Sequence, residues 1–145
     1  NSARYGISWG VIGAAMDCYD SALRYSQERI QFGKPIASFQ LVQKKLAEMI
    51  TEITKAQLLS WRLGVLKNEG KVSPNQISMA KRNNVHIACN IAREARQIHG
   101  AMGITGEYSI MRHTMNLESV LTYEGTHDIH LLITGMDVTG INAFA

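Results

Sequence analysis

Proline is scarce: Pro35 and Pro74 are the only two in 145 residues. Neither falls inside a long periodic run, so nothing forbids helices of many turns. Cysteine is equally scarce. Cys18 and Cys89 sit within apolar helical patterns and have no CxxC partner, which reads as two buried thiols in a reducing compartment and speaks against a secreted disulfide framework. No apolar run reaches the about 18 residues that a membrane span requires, so membrane insertion is not expected. Charge is sparse as well: charged residues are 19% and the net charge is +3, with a pI near 9.0. Lysine and arginine are scattered among the acids, as on a solvated surface, and nucleic acid is excluded as an expected partner. Repeats and low-complexity segments are missing too. The chain opens on Asn1-Ser2-Ala3-Arg4, without an initiator methionine or a charged-then-apolar leader, as expected of a piece of a longer protein.

What is present is apolar and periodic. Hydrophobic residues are 46%, ample for one domain with a continuous core. From about Ala3 to Gln31, residues Ile7, Val11, Ala14, Ala15, Cys18, Ala22 and Tyr25 recur at three- and four-residue steps, which predicts a helix stopped by Gly33 and Pro35. A second run from about Phe39 to Lys67 places Val42, Leu46, Met49, Ile50, Ile53, Ala56, Leu59, Leu63 and Leu66 on one face, and Gly70 caps its end. Ser73-Pro74 then opens a third helix as N-cap and first-turn proline. Its stripe is Ile77, Ala80, Asn84, Ala88, Ile91, Ala95 and Ile98, and Gly100 to Gly106 ends it. A short helix is predicted from about Tyr108 to Leu117, a break at Tyr123-Glu124-Gly125, and a last helix from Thr126 to Gly140. Helices this long, joined by short loops, must bury their stripes against one another. The expected fold is all-α, an antiparallel four-helix-bundle-like domain. Trp9, Leu58 and Trp61 lie off the stripes and point to oligomerisation.

Three segments carry candidate chemistry. In Thr122-Tyr123-Glu124-Gly125-Thr126-His127-Asp128-Ile129-His130, local physics reads Thr126 as an N-cap, Asp128 as a complement to the helix dipole, and Glu124 as a solvated acid. The functional reading is that Gly125 lets backbone approach a ligand closely, while an irregular segment aims the Glu124 carboxylate at a substrate. Glu124 and His127 have the Glu-x-x-His spacing of di-iron bundles, but no second copy exists and Gly125 breaks the helix such a site needs; no metal is expected. Arg29-Ile30-Gln31-Phe32-Gly33 reads locally as a helix end with a basic residue on the dipole. Gln97-Ile98-His99-Gly100-Ala101-Met102-Gly103 reads as a helix end too, or as glycines that let amides approach a phosphate or a ring. His86 and His113 receive no role.

Taken in order and spacing, these segments resemble the acyl-CoA dehydrogenase family over essentially the whole chain. Arg29 to Gly33 matches its Arg-x-x-Phe-Gly segment, with Gln40 further on; Gln97 to Gly103 matches Gln-x-x-Gly-x-x-Gly; Tyr123 to Thr126 matches Tyr-Glu-Gly-Thr. The resemblance makes residues 1–145 the family's C-terminal helical domain, with the N-terminal helical and middle β-domains absent. Within the family the chain looks most like the glutaryl-CoA dehydrogenase subgroup, through Asn1 to Gly6, Gln43-Lys44-Lys45-Leu46, Lys81-Arg82-Asn83-Asn84 and Thr126 to His130. Ala101 replaces a frequent glycine, and Ile104 a frequent aromatic.

The resemblance implies an FAD-dependent oxidation of an acyl-CoA at its α and β carbons, with Glu124 as the base. Arg4 and Gly125 would lie along the acyl-CoA site, with Asn1, Ser2 and Ala3 lining its approach. Thr126, His127 and Asp128 would meet the flavin pyrophosphate. Arg29, Gln40, Gln97, Ile98, His99, Gly100 and Ala101 would reach the FAD of a neighbouring subunit, and Phe144 its adenosine end. For the glutaryl subgroup, the implied reaction turns glutaryl-CoA into crotonyl-CoA and CO2, in lysine and tryptophan degradation. The implied partners are an electron-transfer flavoprotein and three further copies in a homotetramer. The implied compartment is the cytoplasm of a bacterium or the mitochondrial matrix of a eukaryote. The isolated domain is expected to be inactive. The alternatives are another acyl specificity, or a helical oligomerisation module whose site residues are idle.

Overall fold

The computed structural model describes residues 1–144. Among them are five α-helices: α1 (Ser2–Glu28), α2 (Gln40–Asn68), α3 (Pro74–His99), α4 (Ile110–Thr122) and α5 (His127–Thr139). None is long and apolar enough to cross a membrane. The start of α3 is fully determined locally. Ser73 accepts a hydrogen bond from the Gln76 amide while the Gln76 side chain accepts one from the Ser73 amide, and Pro74 takes the first turn. Gly70, at φ 70, ends α2 as expected, with its amide donating to Lys67 and the Lys71 amide to Leu66.

Side-chain pairs give the directions of the helices. Tyr5 reaches Ser60 and Gln57 reaches Met16, so α1 and α2 are antiparallel. Ser8 meets Asn84 and Ser21 meets His99, so α1 and α3 run parallel. Along α3 in the opposite sense lie both α4 and α5, from Arg93–Glu118 at one end to Asn75–Asp137 at the other. The fourth bundle position is therefore filled by one helical run interrupted at residues 123–126. α3 packs against each of the other four helices. All seven residues of its predicted stripe are buried, and so are Lys81 within that stripe and Val85, Ile87, Cys89 and Ala92 beside it, as a central helix requires. Cys18 and Cys89 are buried free thiols; burial and the Asp17 charge push Cys18 up to about 12.

Three expectations are corrected. α1 ends at Glu28 rather than Gln31: Arg29 is extended, and Ile30–Gln31 pairs antiparallel with Lys34–Pro35. The turn residues Phe32 (φ 53) and Gly33 (φ 76) both take the left-handed conformation that two-residue hairpin turns demand. Gly33 thus closes a hairpin instead of capping a helix. α4 runs from Ile110 to Thr122 rather than 108–117, because Val120 and Leu121 continue to pack on the core. Ile50, placed on the α2 stripe by spacing, is exposed, whereas Leu46, Met49, Ile53, Ala56 and Leu63 are buried.

Candidate active site

The break between α4 and α5 is irregular for a defined reason. Glu124 has φ 56 and Gly125 has φ 94. A left-handed conformation costs a non-glycine residue about 1–2 kcal/mol, so neighbouring contacts must hold it. A Cβ at Gly125 would lie 2.8 Å from His130 Nε2, so both the backbone angle and the space call for glycine there. Thr126 then caps α5 by accepting from the Ile129 amide at 3.3 Å.

The carbonyls of this break are bound by three basic side chains. Arg4 Nε donates to the Glu124 carbonyl at 2.9 Å, and His130 Nε2 reaches the same oxygen at 3.2 Å. Lys81 Nζ donates to Val120, Tyr123 and Gly125 oxygens, each at 2.9 Å, which uses all three ammonium hydrogens. Lys81 and His130 are both buried, at 1% and 0% exposure. Burial, then the Arg4 cation, pulls Lys81 below the usual lysine range against the opposing pull of Glu124. Burial, then Lys81 and Arg4, lowers His130 as well. The Glu124 residue itself is exposed.

An open apolar groove runs between α1 and α4, lined by Ala3, Gly6, Ile7, Gly10, Leu117, Val120 and, next to Glu124 in the chain, Tyr123 among others. Gly6 and Gly10 have open space where a side chain would be, which leaves room for a ligand against the α1 backbone. Of the predicted substrate-site residues, the structure brings Arg4, Gly125 and Glu124 together. Ala3 lines the groove, and Asn1 and Ser2 are exposed before it at the start of α1, outside the lining.

The predicted cofactor residues fall in two places. Thr126, His127 and Asp128 line a hollow at the start of α5 together with His86 and Thr122. A second groove joins Arg29 on the hairpin to Ile98, His99, Gly100 and Ala101 at the end of α3, with Tyr25 and Met102. The His99 ring is committed to the core. Its Nδ1 meets the Ala95 carbonyl at 2.7 Å, its Nε2 meets Ser21 Oγ at 3.0 Å, and Tyr25 stacks on it with centroids 4.6 Å apart. Gln97 turns its side chain to Arg96, and Gln40 opens α2; neither lines that groove. Phe144 lies beyond α5, half-exposed. Among the described residues no three His, Cys, Asp or Glu side chains group as metal ligands.

Lys81 and His130 were not among the predicted site residues. A signal for Lys81 existed: it stands at the helical spacing of Ile77, Asn84 and Ala88, where an apolar residue is the rule.

The model of the family described as "Acyl-CoA dehydrogenase, C-terminal domain" matches residues 1–139. A glutaryl-CoA dehydrogenase structure from Mycobacterium smegmatis is 54% identical with a TM-score of 0.97, covering 99% of this chain and 37% of that one. Another from the same organism, in complex with FADH2, is 50% identical with a TM-score of 0.98, covering 100% of this chain and 38% of that one. A short-chain-specific acyl-CoA dehydrogenase from Megasphaera elsdenii is 35% identical over 135 residues, which are 93% of this chain and 35% of that protein. The chain thus spans about a third of the length of the curated relatives it matches.

Proposed function

The chain belongs to the acyl-CoA dehydrogenase family, and on that premise we propose that it supplies the catalytic base, Glu124, to an FAD-dependent acyl-CoA dehydrogenase acting on glutaryl-CoA. The observation that carries the proposal is the break in the fourth bundle run. An exposed acid stands there on a segment whose backbone is held by Arg4, Lys81 and His130, directly after Tyr123, which lines an apolar groove. An acyl chain suits that groove, and a base fixed next to Tyr123 suits removal of the proton on the carbon next to the thioester. Closing the site by the rest of the protein would exclude water and raise the proton affinity of the carboxylate.

The residues fit FAD. At the start of α5, a 13-residue helix, amide hydrogens face outward where an anion is favoured. Arg82 Nε and His127 Nδ1 are buried there without a hydrogen-bond partner, and Thr126 and His127 line the hollow; Asp128 opposes an anion. Arg29, Gln40, Gln97 to Ala101 and Phe144 would meet the FAD of a neighbouring subunit. The chemistry FAD supplies when bound is acceptance of the β hydrogen with its electron pair, and delivery of those electrons to an electron-transfer flavoprotein. Glu124 takes the α proton, leaving the enoyl thioester. With a glutaryl substrate, loss of CO2 follows, and the protonated Glu124 can return its proton to give crotonyl-CoA.

Identities of 54% and 50% to two glutaryl-CoA dehydrogenase structures from Mycobacterium smegmatis support glutaryl-CoA as substrate. Exposed Trp61 and Leu58, both at 59%, support packing of this domain against further copies as a homotetramer. One preparation of the full-length flavoprotein tests both. Anaerobic mixing with glutaryl-CoA should bleach the flavin and release CO2, and gel filtration should show a tetramer. Bleaching by butyryl-CoA alone would move the specificity to short-chain substrates. No bleaching by any acyl-CoA would leave an oligomerisation module, and a monomer would remove the assembly.

A further inference from the structure

Capping α4 needs one bond to Val120, yet Lys81 continues past the helix end to Tyr123 and Gly125, the residues on either side of Glu124. The Glu124 carbonyl between them is taken by Arg4 and His130. The peptide plane before Glu124 is therefore fixed through the Tyr123 oxygen and the plane after it through its own. Fixing both planes fixes φ and ψ of Glu124, and with them the direction of its Cα–Cβ bond. What remains free is rotation within the side chain. The conformation so fixed is left-handed, one the residue would otherwise leave.

We infer that Lys81 and His130, with Arg4, are positioning residues for the Glu124 carboxylate, holding its backbone in one left-handed orientation next to the groove that Tyr123 lines. The inference rests on the reading of Glu124 as the base. Two features argue against simple helix capping. Lys81 is buried and bonds only main-chain oxygens, all within one six-residue segment, and a capping lysine at a helix end has no need of burial. His130 lies within contact distance of the Gly125 α-carbon's open side, so loop and imidazole fit each other directly.

The test uses the full-length enzyme loaded with FAD. Lys81→Met keeps the alkyl stem and removes the ammonium; His130→Leu removes the ring donor, and His130→Gln keeps a donor. With glutaryl-CoA, the rate constant of flavin reduction per bound FAD should fall on the order of 10²-fold in Lys81→Met, the scale of a small misplacement of reacting groups. His130→Leu should fall as well and His130→Gln should retain most of the rate. Acyl-CoA affinity should hold in all three, and amide exchange should quicken in residues 120–130 but not in α1 or α2. A purely structural role would lower melting temperature and FAD content but leave the rate per bound FAD unchanged. Parental rates per bound FAD in Lys81→Met and His130→Leu overturn the inference; should Lys81→Met fail to fold, His130→Leu decides alone. Glu124→Gln is the control. If it is inactive while the other two are parental, only the positioning role fails; if it reduces flavin at the parental rate, the reading of Glu124 fails first.

Discussion

An imidazole buried beside an ammonium and a guanidinium resists protonation, and this protein contains two deeply buried histidines. His130 is lowered by burial, Lys81 and Arg4; His99 is lowered by burial, against a hydrogen bond to the Ala95 carbonyl. Above pH about 6.5, the ordinary histidine value, both are neutral whether the chain is folded or not. Below it the unfolded chain binds protons that the folded one refuses, so stability falls as pH drops, until the folded groups titrate too. Thermal unfolding between pH 7.5 and 5 should show the melting temperature declining below about 6.5, with a shallower decline in His130→Gln. A flat profile in the parent, or an identical slope in the variant, would refute the assignment. The same residues show the limits of reading from sequence. Glu124 and Gly125 stand out through the likeness of Tyr123 to Thr126 to the family's Tyr-Glu-Gly-Thr segment, since local physics alone reads Glu124 as a solvated acid. For Lys81 only its position on the buried stripe is legible; lysine is ordinarily a surface residue, and the fold alone reveals that its ammonium ends among carbonyl oxygens.

At the scale of elements, three long helices meet at one polar point. Asn84 on α3 donates to Ser60 Oγ at 2.8 Å and to the Ser8 carbonyl at 3.0 Å, joining α3 to α2 and α1. Ser8, Ser60 and Asn84 are all buried. Asn84→Ala should lower stability by about 1–3 kcal/mol, the cost of leaving buried groups without a partner. In urea this would appear as an earlier midpoint at unchanged slope; an unchanged midpoint would mean the node holds nothing together. The helices themselves were legible, since apolar spacing and the Ser73-Pro74 start mark them without tertiary information. The hairpin at Ile30–Pro35 was not. Its turn depends on Phe32 adopting a left-handed angle, which no local preference of phenylalanine indicates, and a continued helical pattern reads equally well through Gln31. The true end of α4 was hidden for a related reason: Val120 and Leu121 are held by core contacts that spacing alone did not assign.

For the molecule as a whole, α4 and α5 together fill one position of a four-membered bundle, and the interruption is where the chemistry is proposed to lie. A continuous helix there would carry residue 124 as one more surface acid. The break instead exposes it next to Tyr123, which lines an apolar groove, with α1, α3 and α5 supplying the side chains that keep the break in shape. The domain on this account contributes a base and one wall, and the remaining walls would come from the rest of the proposed full-length flavoprotein; the curated relatives are about three times as long as this chain. Glu124→Gln in that full-length flavoprotein tests the account most directly. The amide preserves size and leaves the backbone contacts intact, so FAD and acyl-CoA should still bind. It cannot accept the α proton, so the rate of anaerobic flavin reduction by glutaryl-CoA should fall by about 10²- to 10⁴-fold or more, the range of general-base contributions. Flavin reduction at the parental rate in Glu124→Gln, with substrate bound, would contradict it.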